Sequence, residues 1–274
     1  MFRFLYKILI VAFSALFFIS CDKVDPPYKK AVTVTTNKKV LLEDYTGHLC
    51  VNCPTAAKEI EDLKEVYGGN LIAISVHAGF QSIPIGPPYD YDFRTDIGTT
   101  WNNEWGISTY PMGVVNRTIQ TDGTRSVKLA NWPVAVSQEL EKAAVAEITI
   151  QASFNTSTKA FIAEVTTNID AEPGESYCVN ALLVEDSLIH AQKNNNSTVG
   201  PVPDILDYAH MHVLRASFTG MWGVSINPDI VYNKTFTLTD TDYPADVIPE
   251  NCHIVVFISK SNREIVQAEI APVN

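Results

Sequence analysis

Cys50 and Cys53 stand with two residues between them, after a strand-type run from Lys39 to Tyr45 and before a helical pattern that begins at Pro54. No other feature constrains the fold as much. A Cys-x-x-Cys at a strand-to-helix junction is the usual seat of protein dithiol chemistry. The two thiols are near enough in sequence to close their own small disulfide. Unsatisfied amides at a helix start favour a thiolate over a thiol. Cys50 is therefore expected as a partly exposed attacking thiolate, and Cys53, one turn inside, as the thiol that resolves a mixed disulfide.

The flanks give the pair its frame. Ala56, Ile60, Leu63 and Tyr67 recur at helical spacing while Lys58, Glu61, Asp62 and Glu65 face water. Gly68-Gly69-Asn70 ends that helix. Leu71 to His77 is a near-continuous apolar run of the kind found in a parallel sheet covered on both faces. Ala78 to Gly106 breaks the rhythm and reads as an insertion, partly helical from Asp90 onward. Tyr110-Pro111 follows, then a strand from Met112 to Arg117, a hairpin turning at Asp122-Gly123, and a helix from Asn131 to Ala144.

This succession resembles the thioredoxin fold over residues 34–144, an α/β domain. The resemblance implies that Asp44, six residues before Cys50, is the buried acid behind the cysteines. Asp44 shares strand parity with Leu42 and Val40, so its burial is credible, and a desolvated carboxyl could relay a proton to or from Cys53. The other reading is that Asp44 or Glu43 ends the strand in solvent. Tyr110-Pro111 aligns with the cis-proline loop of the same fold, which implies that Thr109, Tyr110 and Pro111 receive an extended peptide as an added strand. The chain departs from the thioredoxin pattern at Leu49, where a Trp is customary, and at Pro54 after the second thiol. Two rival readings of the pair stand beside dithiol exchange: a stable disulfide without catalytic use, and zinc held with His48 or His77. Zinc normally takes four ligands, which the sequence does not supply, so no metal and no other cofactor is expected.

From Val145 the pattern changes to strands. Ala146 to Ser153, Phe161 to Ile169, Tyr177 to Glu185, Tyr208 to Phe218, Val231 to Thr239, His253 to Ser259 and Glu264 to Ile270 are separated by turn-rich segments. They predict an all-β, Ig-like sandwich over residues 145–274, with the domain boundary near 145. Cys178 and Cys252 each fall near a strand start, as a bridge within the sandwich or as buried thiols. On one strand, His210 and His212 would share a face, either chelating a metal or making ordinary polar contacts. Trp101, Trp105, Tyr89 and Tyr91 read as an exposed aromatic face or as core.

The first residues concern compartment. Arg3 and Lys7 precede an apolar run from Ile8 to Ile19, and Ser20-Cys21 follows. The run is short for a bilayer span and matches a secretory signal over residues 1–20. A small residue directly before a cysteine suggests a lipoprotein site, with Cys21 lipidated and residues 21–33 as a polar tether to a membrane. An ordinary cleaved signal and an uncleaved anchor are the alternatives. Cleavage before Cys21 would leave 18 basic side chains against 31 acidic ones. That balance excludes nucleic acid as a partner, because phosphate binding needs a basic footprint. In an oxidising envelope the four remaining cysteines suggest disulfides.

Taken together, the lipoprotein signal, Cys50 to Pro54, and the strings Gly106 to Arg117, Asp207 to Arg215 and Gly220 to Gly223 resemble one family. It is that of the Bacteroidetes outer-membrane proteins related to the twenty-eight-kilodalton Omp. The resemblance implies a lipid-anchored outer-membrane protein, with the face of the membrane left open. Two functions fit: disulfide exchange on envelope client proteins, or surface or periplasmic binding and adhesion with Cys50 and Cys53 as a structural disulfide.

Overall fold

Strand β1 (Val40–Thr46) is buried along its whole length. A computed structural model describes residues 37–228 and 230–274; the expected signal, Cys21 and the tether lie outside them. β1 pairs in parallel with β2 (Leu71–His77), from Val40 opposite Leu71 to Thr46 opposite His77. Its other edge pairs antiparallel with β3 (Met112–Val115), which turns back into β4 (Ser126–Lys128). Helix α1 (Cys53–Tyr67) makes the crossover from β1 to β2, the kind of connection a parallel pair requires. Its apolar stripe of Ala56, Ile60 and Leu63 lies on Val40, Leu42 and Ala73, with Trp132 and Val136 of α3 (Trp132–Leu140) beside it.

The opposite face of β1 and β2 is covered by α2 (Asp96–Glu104), whose first turn is capped by the Thr95 hydroxyl accepting from the Gly98 amide. That face does not close on itself. Leu41, Tyr45, Ile74 and Val76 share one core with Leu182, Val184 and Phe257 from far along the chain. Those residues belong to β7 (Tyr177–Glu185) and β13 (Cys252–Lys260), which continue the same sheet. β10 (Val213–Ser217) joins the halves: it pairs antiparallel with β7 and, at Val213 opposite Ser75, in parallel with β2. With β14 (Ile265–Pro272) outermost, the order is β14-β13-β7-β10-β2-β1-β3-β4, and the short β11 (Val224–Ile226) pairs with β7.

The second half is β-rich as expected. β5 (Ala146–Asn155), β6 (Ala160–Ile169) and β12 (Tyr232–Leu238) form a separate three-stranded sheet. Ile148, Val165 and Phe236 of that sheet pack against Val179, Ala181 and Val256 of the large one. The boundary expected near residue 145 does not divide two sheets, because the large sheet is shared by elements on both sides of it. Its β2–β10 junction links residues about 140 apart, a pairing that leaves no local mark in hydrophobic periodicity. No helix of the described residues is long and apolar enough to cross a membrane.

Asn116 and Arg117, both with positive φ, tie this assembly together after β3. The Asn116 side chain accepts from the Leu41 amide and donates to Glu139 of α3, while its carbonyl accepts from the Ile265 amide of β14. Arg117 donates through Nε and Nη2 to Glu43 Oε1 at 3.0 and 2.6 Å, with both side chains essentially inaccessible. Its guanidinium lies 4.3 Å from the Trp101 ring centroid and 4.9 Å from that of Phe257. Removing one partner of a buried pair strands the other charge at a cost of about 3–5 kcal/mol. Arg117→Met is therefore expected to lower the unfolding free energy in urea by that amount. Adding Glu43→Gln should recover part of the loss, and a single variant as stable as the wild type would contradict the pairing.

Candidate redox site

The turn after β1 carries the cysteines. Cys50 N donates to Gly47 O at 3.0 Å and Cys53 N to Cys50 O at 3.3 Å, so the chain coils directly into α1 with Asn52 as its cap residue and Pro54 in its first turn. Cys50 and Cys53 are joined in a disulfide. Gly47 permits the tight turn, since a Cβ there would meet the Gln81 carbonyl at 2.4 Å. Contrary to the expected exposure, Cys50 is 2% and Cys53 3% accessible. The cover is a hairpin that sequence periodicity missed, β8 (Leu188–Lys193) and β9 (Asp204–His210), together with the segment between them. Lys193 N donates to His48 O at 2.8 Å and Asn195 N to Val51 O at 3.1 Å. Gln192 Nε2 donates to Cys50 O at 2.9 Å.

Behind the disulfide is a cavity of about 380 Å³, lined among others by Asp44, Cys53, Lys64, His77, Tyr208 and His210. Asp44 is buried, and its Oδ1 has no hydrogen-bond partner among the described residues. Burial pushes its carboxyl up to about 8, so it holds its proton at neutral pH. The reading in which Asp44 ends the strand in solvent is thereby corrected: β1 is covered on both faces. His77 and His210 are also buried, their rings 5.3 Å apart, with Phe93 4.4 Å from each. Desolvation lowers both, His210 to about 3, so both imidazoles are neutral. The part of the wall formed by Asp44, His77 and His210 is thus polar but uncharged, while Glu61 and Lys64 also line the cavity. At its mouth Lys64 Nζ meets His212 Nε2 at 2.7 Å, and His212 Nδ1 meets Asp186 Oδ1 at 2.8 Å.

Thr109, Tyr110 and Pro111 stand at the end of the sheet that carries the disulfide turn. Met112 opposes Tyr45 in the β1–β3 register, and the Tyr110–Pro111 bond is cis. The short 80–82 turn bridges this loop and the cysteines: Phe80 meets the Tyr110 ring edge-on, and Gln81 O accepts from Leu49 N at 2.9 Å.

Other expectations change. His210 and His212 do not share a strand face, because the segment expected as one strand breaks at His212, whose φ is 56°. Both line the cavity, His210 as a buried imidazole on β9 and His212 beyond the strand end, where it pairs with Asp186. Cys178 and Cys252 do not bridge; both are free thiols. Cys178 lies opposite Ser259 and Cys252 opposite Glu185, at the two ends of the β7–β13 ladder and roughly 20 Å apart by strand rise. Trp101, Trp105 and Tyr89 are buried rather than an exposed face, and Tyr91 stacks on His190. Lys64, Tyr208 and the hairpin were not expected at the site, and His77, expected near the pair only as a zinc ligand, lines the cavity as a neutral imidazole. The one available signal was the polar Asn194-Asn195-Asn196 patch, at the centre of the cover.

A group whose folded value lies above its unfolded one contributes stability that is complete below the unfolded pKa and lost as pH rises through the folded one. For Asp44 that window runs from 3.8 to about 8. His77 and His210 are neutral in folded and unfolded states alike above about pH 7. Between about pH 7 and pH 8 the wild type should therefore lose unfolding free energy while Asp44→Asn does not, and the variant should be more stable by a few kcal/mol. Parallel urea curves for the two proteins across that range would contradict a protonated Asp44.

A family model described as outer membrane protein Omp28 matches residues 98–274. Comparison with curated proteins gives no match. The matched span contains the Tyr110–Pro111 loop, Arg117 and the covering hairpin, and begins after Cys50 and Cys53.

Proposed function

We propose, for a chain that belongs to the outer membrane protein Omp28 family, that a thioredoxin-like region carries out thiol–disulfide exchange on envelope proteins while a lipid on Cys21 holds it at the membrane. The strand order β2-β1-β3-β4, with a parallel first pair, antiparallel later pairs and α1 following the cysteines, supports the thioredoxin-like reading. The lipid anchor rests on the Ser20-Cys21 pattern behind an apolar run. One observation carries the chemistry: Asp44, protonated and without a charged partner, lines the same cavity as Cys53.

The step balances without an added oxidant. A client thiolate attacks Cys50 Sγ, the client–Cys50 bond forms, and the Cys50–Cys53 bond breaks with its electron pair leaving on Cys53. Asp44 supplies the proton that neutralises this leaving thiolate. A second client thiolate then attacks the client sulfur of the mixed disulfide and expels Cys50. The client is oxidised by two electrons and the pair is reduced. In this reading a client strand pairs with the Thr109 and Tyr110 backbone, with Pro111 shaping the loop.

The second reading, a binding or adhesion protein with a structural disulfide, draws on the burial of both sulfurs. Magnitude weighs against it. A bridge across so short a loop stabilises a chain by only about 2 kcal/mol on the chain-entropy account. Such a bridge does not call for an uncompensated carboxyl behind it.

Oxidative refolding of a reduced protein tests the proposal. Wild type with its Cys50–Cys53 pair oxidised should accelerate disulfide formation in the refolding protein, and Cys50→Ser and Cys53→Ser, neither of which can form the pair, should both abolish the effect. Equal rates for wild type and Cys50→Ser would reject exchange. The mature chain should carry acyl mass on Cys21, and a chain starting elsewhere would reject the anchor.

A further inference from the structure

Cys50 and Cys53 are both nearly inaccessible, and one short segment is hydrogen-bonded along the turn that holds them. That segment makes its contacts in a particular way. Lys193 N and Asn195 N, two residues apart and on one side of the backbone, donate to the carbonyls of His48 and Val51 in the turn that holds the cysteines. This alternation is how a strand presents its amides to a neighbour. Side chains repeat the pattern: Gln192 Nε2 donates to Cys50 O at 2.9 Å, Asn195 Nδ2 to Asn52 Oδ1 at 2.7 Å, and Asn196 Nδ2 to Thr55 Oγ1 at 3.1 Å.

The hairpin that carries the segment stands apart from the main sheet. β8 and β9 pair with each other and form a separate two-stranded sheet. The chain leaves for it at Ser187 and returns from it at His212, both at positive φ, and Asp186 Oδ1 accepts from the His212 amide across that base at 2.6 Å. The foot of the hairpin is thereby pinned while its tip lies over the disulfide.

We infer that residues 192–196 are a built-in stand-in for substrate: they occupy the backbone acceptors of the Cys50–Cys53 turn, and an extended polypeptide strand carrying a cysteine binds by displacing them. The displacement half rests on the exchange proposed above; the cover does not. Uncovering the turn opens the His48 and Val51 carbonyls to water, and a seated strand that shuts the water out again must supply donors in its place. An extended chain supplies two amides at the required spacing, whereas a small thiol cannot span both. Once the strand is seated, its thiolate attacks Cys50 Sγ, the Cys50–Cys53 bond breaks, and Cys53 takes the electron pair and a proton.

Two measurements on the full chain test this. The first is the rate at which a small phosphine reduces the oxidised pair, which requires no catalysis by the protein. Gln192→Ala removes a buried contact and Asn195→Ala an exposed one, so the second variant keeps the test open should the first fold poorly. Asn195→Ala is expected to be reduced about fivefold faster than wild type, the factor that goes with losing one hydrogen bond from the covered state, and Gln192→Ala, which loses bonds to both Gly47 O and Cys50 O, faster still. A rate for Asn195→Ala equal to that of wild type would overturn the cover.

In the second, Cys53→Ser is loaded with an unstructured peptide bearing one cysteine, activated as its thionitrobenzoate disulfide. Cys50 attacks the peptide sulfur and releases thionitrobenzoate, which reports loading. The Lys193 and Asn195 amides should then lose protection from hydrogen exchange. Retained protection in the loaded protein would overturn displacement. Faster reduction of the variants with no refolding activity would remove the exchange reading and leave the cover standing, whereas unchanged reduction with normal refolding would do the opposite.

Discussion

Two acids follow one another on a strand buried on both faces, and the structure meets that constraint in opposite ways. Glu43 and Asp44 point to opposite sides of β1 because side chains alternate along a strand. On one side, Glu43 meets the Arg117 guanidinium, which lies against Trp101 and Phe257. On the other, Asp44 meets no cation and keeps its proton instead. The first solution builds the fold, since Arg117 and its neighbour Asn116 connect β1, α3 and β14. The second leaves a protonated carboxyl in the cavity that Cys53 also lines.

That division depends on the shared sheet. β10 extends β2, and the strands beyond it place Phe257 and Leu182 over the Glu43 face, while the β8–β9 hairpin between β7 and β10 closes over the Cys50–Cys53 turn. The second half of the chain therefore supplies the burial that raises Asp44 and the segment that covers the sulfurs. Family membership is carried by residues 98–274, so the cover and the sandwich lie within the matched span and the cysteines lie before it.

Much of the frame was legible in the sequence wherever local pattern sufficed. The apolar run at 71–77, the helix behind Pro54 and most strands of the sandwich appear close to where periodicity places them. The buried Asp44 was legible from its parity with Leu42 and Val40. What escaped depends on contacts between distant residues. The β2–β10 pairing joins halves that look like separate domains. The hairpin lies in a polar, turn-rich stretch whose strands pair only with each other and therefore show no strong apolar alternation. The expected strand across His210 and His212 failed because one left-handed residue turns the chain, a conformation that composition does not announce for histidine.

The most direct test of the account is the reduction potential of the Cys50–Cys53 pair as a function of pH, in wild type and in Asp44→Asn. If Asp44 is the neutral acid coupled to Cys53, the slope of potential against pH should bend near its ordinary folded value of about 8 in the wild type, and the bend should vanish in the variant. Identical pH dependences in the two proteins would contradict the coupling on which the redox reading rests.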